Sequence, residues 1–289
     1  MITYGENEEK NLNEIVVRGM TNIRSKTRDG RLYASQSGQC ERKTALTSTQ
    51  VGNEVITASM NAYFKIGETI EELILDSLFD QGILLFKQYR LPDIGINMGG
   101  YVDGIIFVDG QVKVLEIKSC GTVPNKPKPD HLAQTLIYSA ITGLPAQIMY
   151  MSRQPADFYG NMNIETFDIE TSTENLSKAV WSAVYGYLAV GMGVLPDRPP
   201  HMKKSYCGFC PGFNDCWKTG PKNEIKGLKS PTSDQHAELV ESTSKFVEAI
   251  LNPVATKDRR IGVLNFLSKN GTRYAKNLLE SSDWSNFGF

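Results

Sequence analysis

The dipeptide Asp109-Gly110 lies between two apolar segments and is the sequence feature that most constrains the fold. This pair is typical of a two-residue β-hairpin loop, because both loop positions need a positive φ. It predicts two antiparallel strands in which Val108 pairs with Gln111. The hairpin therefore fixes which residues of the two strands face each other.

In this register Asp103 lies opposite Glu116, on one face of the sheet and with Cβ atoms about 4.5–5.5 Å apart. Lys118 shares that face because successive strand side chains alternate. The surrounding strand residues are mostly apolar, and two carboxylates in such surroundings repel each other unless a divalent cation lies between them. The pattern predicts phosphodiester hydrolysis with Mg²⁺ or Mn²⁺. Asp103, Glu116 and the Ile117 carbonyl would be metal ligands, and Lys118 would orient or help deprotonate the attacking water. A surface carboxylate–lysine pair is the alternative.

Polar side chains on two predicted helices are further candidates. Glu71 lies at the edge of the apolar arc of a long helix, from which its carboxylate could reach the metal, and an ordinary surface glutamate is the alternative. Gln134 and Tyr138 are four residues apart and form a polar stripe on the helix after the hairpin. On spacing alone, a buried tyrosine with a hydrogen-bonded hydroxyl is the simpler interpretation of that stripe.

Four of the five cysteines are spaced like the ligands of one metal site. Cys207, Cys210 and Cys216 lie close together in a segment rich in Gly and Pro, and Cys40 lies far upstream. A structural zinc ribbon usually has two C-x₂-C pairs and this chain has one, so the spacing favours an iron–sulfur cluster over zinc. Unconnected buried cysteines are the remaining alternative. Cys120 is expected to be a packed thiol near the active cleft.

The predicted elements alternate between helices and strands, which is typical of an α/β domain with a mixed sheet flanked by helices. In chain order they are a polar helical arm, a helix near 37–46, a long helix over 54–79, strands near 83–91, 96–108 and 111–119, a helix over 130–142, strands over 146–152 and 163–169, and a helix over 174–190. Residues beyond about 230 are expected to be helical.

The 289 residues are 40% hydrophobic and 22% charged, an ordinary globular composition with a net charge of −1. Residues 18–43 and 198–229 each contain seven basic and two acidic residues, which is typical of either a solvated face or a surface for a polyanion. No G-x-x-x-x-G-K-[ST] phosphate loop occurs, so any nucleotide-driven motor would be a partner. No apolar segment is long enough to span a membrane and nothing marks export, so we expect a cytoplasmic protein.

Taken together, these residues resemble the PD-(D/E)xK nuclease superfamily, in particular its RecB-like branch with an iron–sulfur cluster. That branch includes the CRISPR-associated spacer-processing exonuclease and its phage relatives. The match covers about residues 35–217 and follows the order of the family's motifs. In this chain the motifs are Cys40, Gly67 to Glu71, Asp103, Glu116 to Lys118, Gln134 to Tyr138, and Cys207, Cys210 and Cys216.

The resemblance implies a restriction-endonuclease-like sheet, a 4Fe-4S cluster held by the four cysteines, and contact of Gln134 and Tyr138 with DNA near the scissile phosphate. Two positions differ from the family pattern, since Val102-Asp103 replaces Pro-Asp and Glu71 stands where many relatives have histidine. We therefore expect a metal-dependent DNA nuclease, an exonuclease on single-stranded ends, in recombination, repair or phage DNA processing. A helicase, recombinase or integrase is the expected partner. The alternatives are a CRISPR spacer-processing nuclease working with an integrase, and a non-catalytic DNA-binding or structural subunit.

These features divide the chain into four predicted segments. They are a basic N-terminal arm over residues 1–34, a nuclease core over 35–194, a cysteine-rich cluster-binding segment over 195–230 that shares its site with Cys40, and a helical appendage and tail over 231–289. The last residues, 283–289, mix acidic and aromatic side chains, which is typical of a docking tail or of a packed or frayed chain end.

Overall fold

The computed structural model describes residues 12–27, 32–36, 40–48, 51–95, 98–154, 162–199, 207, 210, 213–218 and 228–281. Most of the second basic segment, parts of the first and the aromatic tail lie outside these residues. The helices are α1 (Leu12–Met20), α2 (Glu41–Ser48), α3 (Ala58–Asp80), α4 (Pro129–Thr142), α5 (Thr173–Gly191), α6 (Phe213–Lys218), α7 (Ser233–Leu251), α8 (Pro253–Asn270) and α9 (Arg273–Ser281). The strands are β1 (Asn22–Thr27), β2 (Leu32–Tyr33), β3 (Val51–Ile56), β4 (Leu84–Arg90), β5 (Met98–Gly99), β6 (Tyr101–Val108), β7 (Gln111–Cys120), β8 (Ala146–Ser152) and β9 (Ile164–Ile169).

A five-stranded mixed sheet in the order β4-β6-β7-β8-β9 forms the centre of the fold. β7 and β8 are parallel and α4 connects them, whereas the other neighbouring strands are antiparallel. In the hairpin loop, Asp109 and Gly110 have φ values of 53° and 74°. Val108 pairs with Gln111, so the predicted hairpin and its register are confirmed.

Most predicted elements are present with bounds that differ by a few residues. The long helix is one correction, because it begins at Ala58 and not near Glu54. The residues before it form β3, which pairs with β1. Thr57 follows that strand and caps the helix, since its hydroxyl accepts a hydrogen bond of 3.2 Å from the Met60 amide. The strand predicted over 96–108 is also wrong as one element, because its first part is β5, which pairs with β2.

Helices cover the sheet through two separate buried clusters. In the first, Ile70, Ile74 and Leu75 of α3 pack with Leu115 and Ile117 of β7. The second and larger cluster joins the sheet to α4, α5 and the helices beyond residue 230. Those last helices were predicted as an appendage, and their apolar side chains belong to the main core. None of the helices described above has both the length and the apolar content that crossing a lipid bilayer requires.

Candidate active site

The candidate site forms where β6 and β7 separate. Their ladder ends at the pair Gly104 and Leu115, one position before Asp103 and Glu116. There the Asp103 carboxylate accepts a hydrogen bond of 2.8 Å from the backbone N–H of Ile117. A side-chain oxygen of Asp103 thus takes the place of a β6 backbone carbonyl as the acceptor. β7 itself continues to pair with β8 as far as Cys120. The two strands therefore diverge at the predicted pair of carboxylates.

Glu116 is the most deeply buried charged group of this site, with 1% of its surface exposed. Its Oε1 atom forms an ion pair with the ammonium group of Lys118. Its Oε2 atom is buried and receives no hydrogen bond from the described residues while Asp103 is ionised. Leaving a buried polar atom unpaired costs about 1–3 kcal/mol. This oxygen is therefore the atom of the site best suited to bind a cation.

The charge states follow from burial and from the close approach of the acids. Burial, and then the negative charge of Glu116, raise the pKa of Asp103 well above its usual range. Burial also raises the pKa of Glu116, although Lys118 opposes the rise. Burial lowers the pKa of Lys118, but the Glu116 and Asp103 carboxylates outweigh it and the net change is upward. A cationic Lys118 is suited to stabilising a phosphate and orienting water, and less suited to removing a proton.

Glu71 reaches the same site from α3. Burial, and then the charge of Asp103, raise its pKa to about 7. Its carboxylate accepts a hydrogen bond from the side-chain amide of Gln88. Gln88 lies on β4 with a φ of 55°, in the left-handed region that residues other than glycine seldom occupy. The strand thus holds a strained residue, at a cost of about 1–3 kcal/mol, at the position that presents an amide to Glu71.

Gln134 and Tyr138 lie beside the carboxylates and are buried. The Gln134 amide donates a hydrogen bond of 2.8 Å to the Tyr138 hydroxyl, and only 2% of Tyr138 is exposed. Burial, and then the charge of Glu116, raise the pKa of Tyr138 well above its usual range, so its hydroxyl is neutral. The structure agrees with the simpler interpretation, a buried tyrosine with a bonded hydroxyl. Contact of this pair with DNA stays a prediction.

His131 is a further residue of the site that the sequence analysis did not identify. Its Nδ1 lies 2.8 Å from the Tyr150 hydroxyl. Burial, and then the positive charge of Lys118, lower its pKa to about 4, so the ring is neutral at physiological pH. The sequence spacing could have identified His131 as a site residue, because it precedes Gln134 by three residues on the same helix and therefore shares its face.

The acidic groups suit a hard divalent cation, which prefers oxygen ligands. In the described part of the chain, no three His, Cys, Asp or Glu side chains already converge as a metal site. Glu116 is paired with Lys118 and Glu71 with Gln88, so these bonds would have to be exchanged for a cation. The unpartnered Oε2 of Glu116 requires no such exchange. The predicted acids are thus brought together, in an arrangement that a metal would have to reorganise.

Three of the four predicted cluster ligands lie together. Cys40 and Cys207 share a buried cluster, and Cys210 packs against it. Cys216 lies in the adjoining cluster, where its Sγ accepts a hydrogen bond of 3.0 Å from Nε of the buried Arg42. Burial raises the pKa of Cys40 to about 12, so its thiol is protonated unless a metal replaces the proton. No disulfide joins the described cysteines. Thiols are the ligands that soft metals prefer, but no three of the described cysteines converge as the ligands of one ion.

The sequence matches no protein-family model and no curated protein. Among solved structures, the chain is similar to the crystal structure of SSO0001, with 11% identity and a TM-score of 0.40 over 74% of this chain and 100% of that chain. It is also similar to an alkaline exonuclease, LHK-Exo, from Laribacter hongkongensis. That similarity has 16% identity and a TM-score of 0.35 over 57% of this chain and 92% of that chain. The function must therefore be argued from the residues of the site.

Proposed function

We propose that this protein is a divalent-metal-dependent DNA nuclease of the PD-(D/E)xK superfamily, and an exonuclease on single-stranded DNA ends. The supporting observation is the half-buried Asp103 and the buried Glu116 beside a cationic Lys118, at the point where β6 and β7 diverge. Two neighbouring buried carboxylates destabilise a fold, and apolar residues of similar size would be at least as stable there. Strongly raised carboxylate pKa values with a specific charged partner are typical of functional sites.

Asp103, Glu116 and Glu71, together with the Ile117 carbonyl, would hold Mg²⁺ or Mn²⁺, which when bound supplies Lewis acidity and a more acidic water. Lys118 offsets the negative charge of the phosphate and orients the nucleophile. Gln134 and Tyr138, which share a hydrogen bond beside the carboxylates, would contact the DNA strand near the scissile phosphate. Neutral His131 adds no charge beside Lys118, so the positive charge at this position comes from the ammonium group.

We further propose that the chain belongs to the RecB-like iron–sulfur branch and that Cys40, Cys207, Cys210 and Cys216 hold a 4Fe-4S cluster. The packing of Cys40 with Cys207 and Cys210 supports this assignment, because it joins residues from both sides of the core. Arg42 would offset part of the thiolate charge through its bond to Cys216. The proposed organisation is then a nuclease core over 35–194 and a cluster-binding segment over 195–230. We place the activity in recombination, repair or phage DNA processing.

Anaerobically purified protein, incubated with end-labelled single- and double-stranded DNA with and without Mn²⁺, tests the nuclease assignment. We expect cation-dependent shortening of the single strand in the wild type. Lys118→Met and Glu116→Gln should each reduce the rate by at least about 100-fold. Glu72→Gln, which changes an exposed glutamate of α3, is the matched control and should retain the rate. Circular dichroism and the iron and sulfide content verify that the variants are folded and loaded. Cleavage that persists in both site variants would overturn the assignment.

A further inference from the structure

A second group of side chains continues along α3 from the carboxylates. Tyr63, Gly67 and Glu71 are spaced four residues apart, so they lie on one side of the helix. Gly67 faces the end of β7, since a Cβ atom on it would lie 3.5 Å from the Ser119 hydroxyl oxygen. Tyr63 precedes Glu71 by two turns, or about 12 Å at 1.5 Å per residue. A line of residues therefore leads from the candidate metal ligands to an aromatic ring.

The Tyr63 ring is exposed and contacts the cationic side chain of Arg153. Its exposed fraction is 57%, which is high for a large aromatic side chain. The guanidinium carbon of Arg153 lies 5.3 Å from the ring centroid, within the range of a cation–π contact. Arg153 also donates a hydrogen bond of 3.5 Å to the Ser119 hydroxyl, next to Lys118. These contacts fix the ring beside the end of β7 and leave much of it open to solvent.

Basic side chains lie near the end of β7, beside this ring. Burial raises the pKa of Cys120, and the positive charges of Lys128 and Arg153 oppose that rise, so both cations lie close to the end of β7. Cys120 itself is the packed thiol predicted from sequence, and it donates to the Met151 carbonyl at 3.5 Å. Together with Lys118, which is paired with Glu116, Lys128 and Arg153 place three cations near this end of the strand. Their charge complements a phosphate backbone.

We propose that Tyr63 and Arg153 form a subsite that stacks an unpaired base of single-stranded DNA, within a few nucleotides of the phosphate that is cleaved. The proposal rests on the nuclease function and names the feature of the substrate that the site selects. An aromatic face stacks on any base, and a neighbouring cation binds the backbone, so the subsite is tolerant of sequence. Bases in a duplex are already stacked on each other. The subsite therefore favours a single strand over a double strand.

Binding of a fluorescent oligo-dT to the full-length protein in EDTA, followed by anisotropy, tests the subsite without cleavage. Tyr63→Ala should weaken binding about tenfold, whereas Tyr63→Phe should retain it. Phe79→Ala is the matched control, because Phe79 is 55% exposed on α3 and lies eight residues beyond Glu71 in the other direction. It should bind like the wild type. Arg153→Gln should lower the slope of log affinity against log salt by about 0.7.

A second arm locates the stacked base. A set of oligonucleotides is prepared, each of which lacks the base at a different position. One of them should bind the wild type more weakly than the others do. Tyr63→Ala should bind that oligonucleotide and the others equally well. Tyr63→Ala that binds like the wild type would overturn the subsite, as would an equal loss in Phe79→Ala. A wild type that cleaves DNA without dependence on Tyr63 retains the nuclease and removes the subsite. Tyr63-dependent binding without any cleavage retains the subsite and removes the nuclease.

Discussion

Glu71 should destabilise the metal-free protein at and above neutral pH, and Glu71→Gln should remove this effect. Burial and the charge of Asp103 raise the pKa of this carboxyl from 4.5 to about 7. The folded protein therefore binds the proton more tightly than the unfolded chain does. Below about pH 4.5 both states hold the proton and the group has little effect on stability. As the pH rises to 7 and above, the unfolded chain ionises freely and the folded protein must bury a charge, so stability falls.

The size of the effect follows from the same two pKa values. A rise from 4.5 to about 7 corresponds to about 3.4 kcal/mol, since each pKa unit is worth about 1.36 kcal/mol. Glu71 keeps part of its surface in water, which screens its charge, so we expect about half of that amount. Glutamine has the same shape and can still accept the hydrogen bond from Gln88. Glu71→Gln should then be more stable than the wild type by about 2 kcal/mol at pH 9, and equally stable at pH 4.

Urea unfolding in EDTA, repeated across this pH range, measures the difference. Glu72→Gln, at the exposed neighbour on the same helix, should follow the wild type at every pH. Mn²⁺ should reverse the order at pH 8, because a ligand that binds the folded state stabilises it, and the wild type retains one more carboxylate for the cation. If Glu71→Gln and the wild type have the same pH profile in EDTA, Glu71 does not occupy the buried acidic site described above.

Two substitutions of Gln88 should separate the effect of its side-chain amide on metal binding from the effect of its strained backbone on stability. Gln88→Ala and Gln88→Gly should both strengthen Mn²⁺ binding in a metal titration, because each removes the hydrogen bond that a cation would have to replace at Glu71. Gln88→Gly should be more stable than Gln88→Ala by about 1 kcal/mol in urea unfolding, since glycine accepts a positive φ. Gly143→Ala should lower stability by about 2 kcal/mol or more, because its φ is 71° and a Cβ there would lie 2.5 Å from the Thr256 carbonyl oxygen. Gly193→Ala, at a φ of 68° with open space around it, should lose about 1 kcal/mol, and thermal unfolding compares the two. Equal losses of stability in Gly143→Ala and Gly193→Ala would contradict the close packing of the end of α4 on α8.

The register of the site could be predicted from the sequence because it depends on local geometry. Asp109 and Gly110 determine the turn, the turn determines the pairing, and alternation along a strand then brings Lys118 to the side of Glu116. The alternative interpretation of Gln134 and Tyr138 was also local, since a four-residue spacing on a helix places the two side chains in contact. Each of these steps needs no information from distant parts of the chain.

Other features depend on distant contacts and could not be predicted in this way. β3 forms because β1 supplies its partner, and the same residues taken alone fit the start of a helix. The core position of the helices beyond residue 230 is set by packing against α4 and the sheet, which no local pattern encodes. The left-handed backbone of Gln88 is a third case. Neither its residue type nor its neighbours favour a positive φ, so the surrounding fold must impose it.

The exceptions to the ordinary rules of a sheet are concentrated in one place. The β6–β7 ladder gives way to a carboxylate at Asp103, β4 has a strained residue at Gln88, and Glu116 keeps an unpaired buried oxygen. The strain at Gln88 and the unpaired oxygen of Glu116 each lower the stability of the metal-free protein, and none of the three features helps to pack the core. A sheet selected for stability alone would lose nothing by carrying apolar residues at the two acidic positions. Two costs and an interrupted ladder at one site are therefore best explained by a function that needs acids, a cation and an open strand edge together.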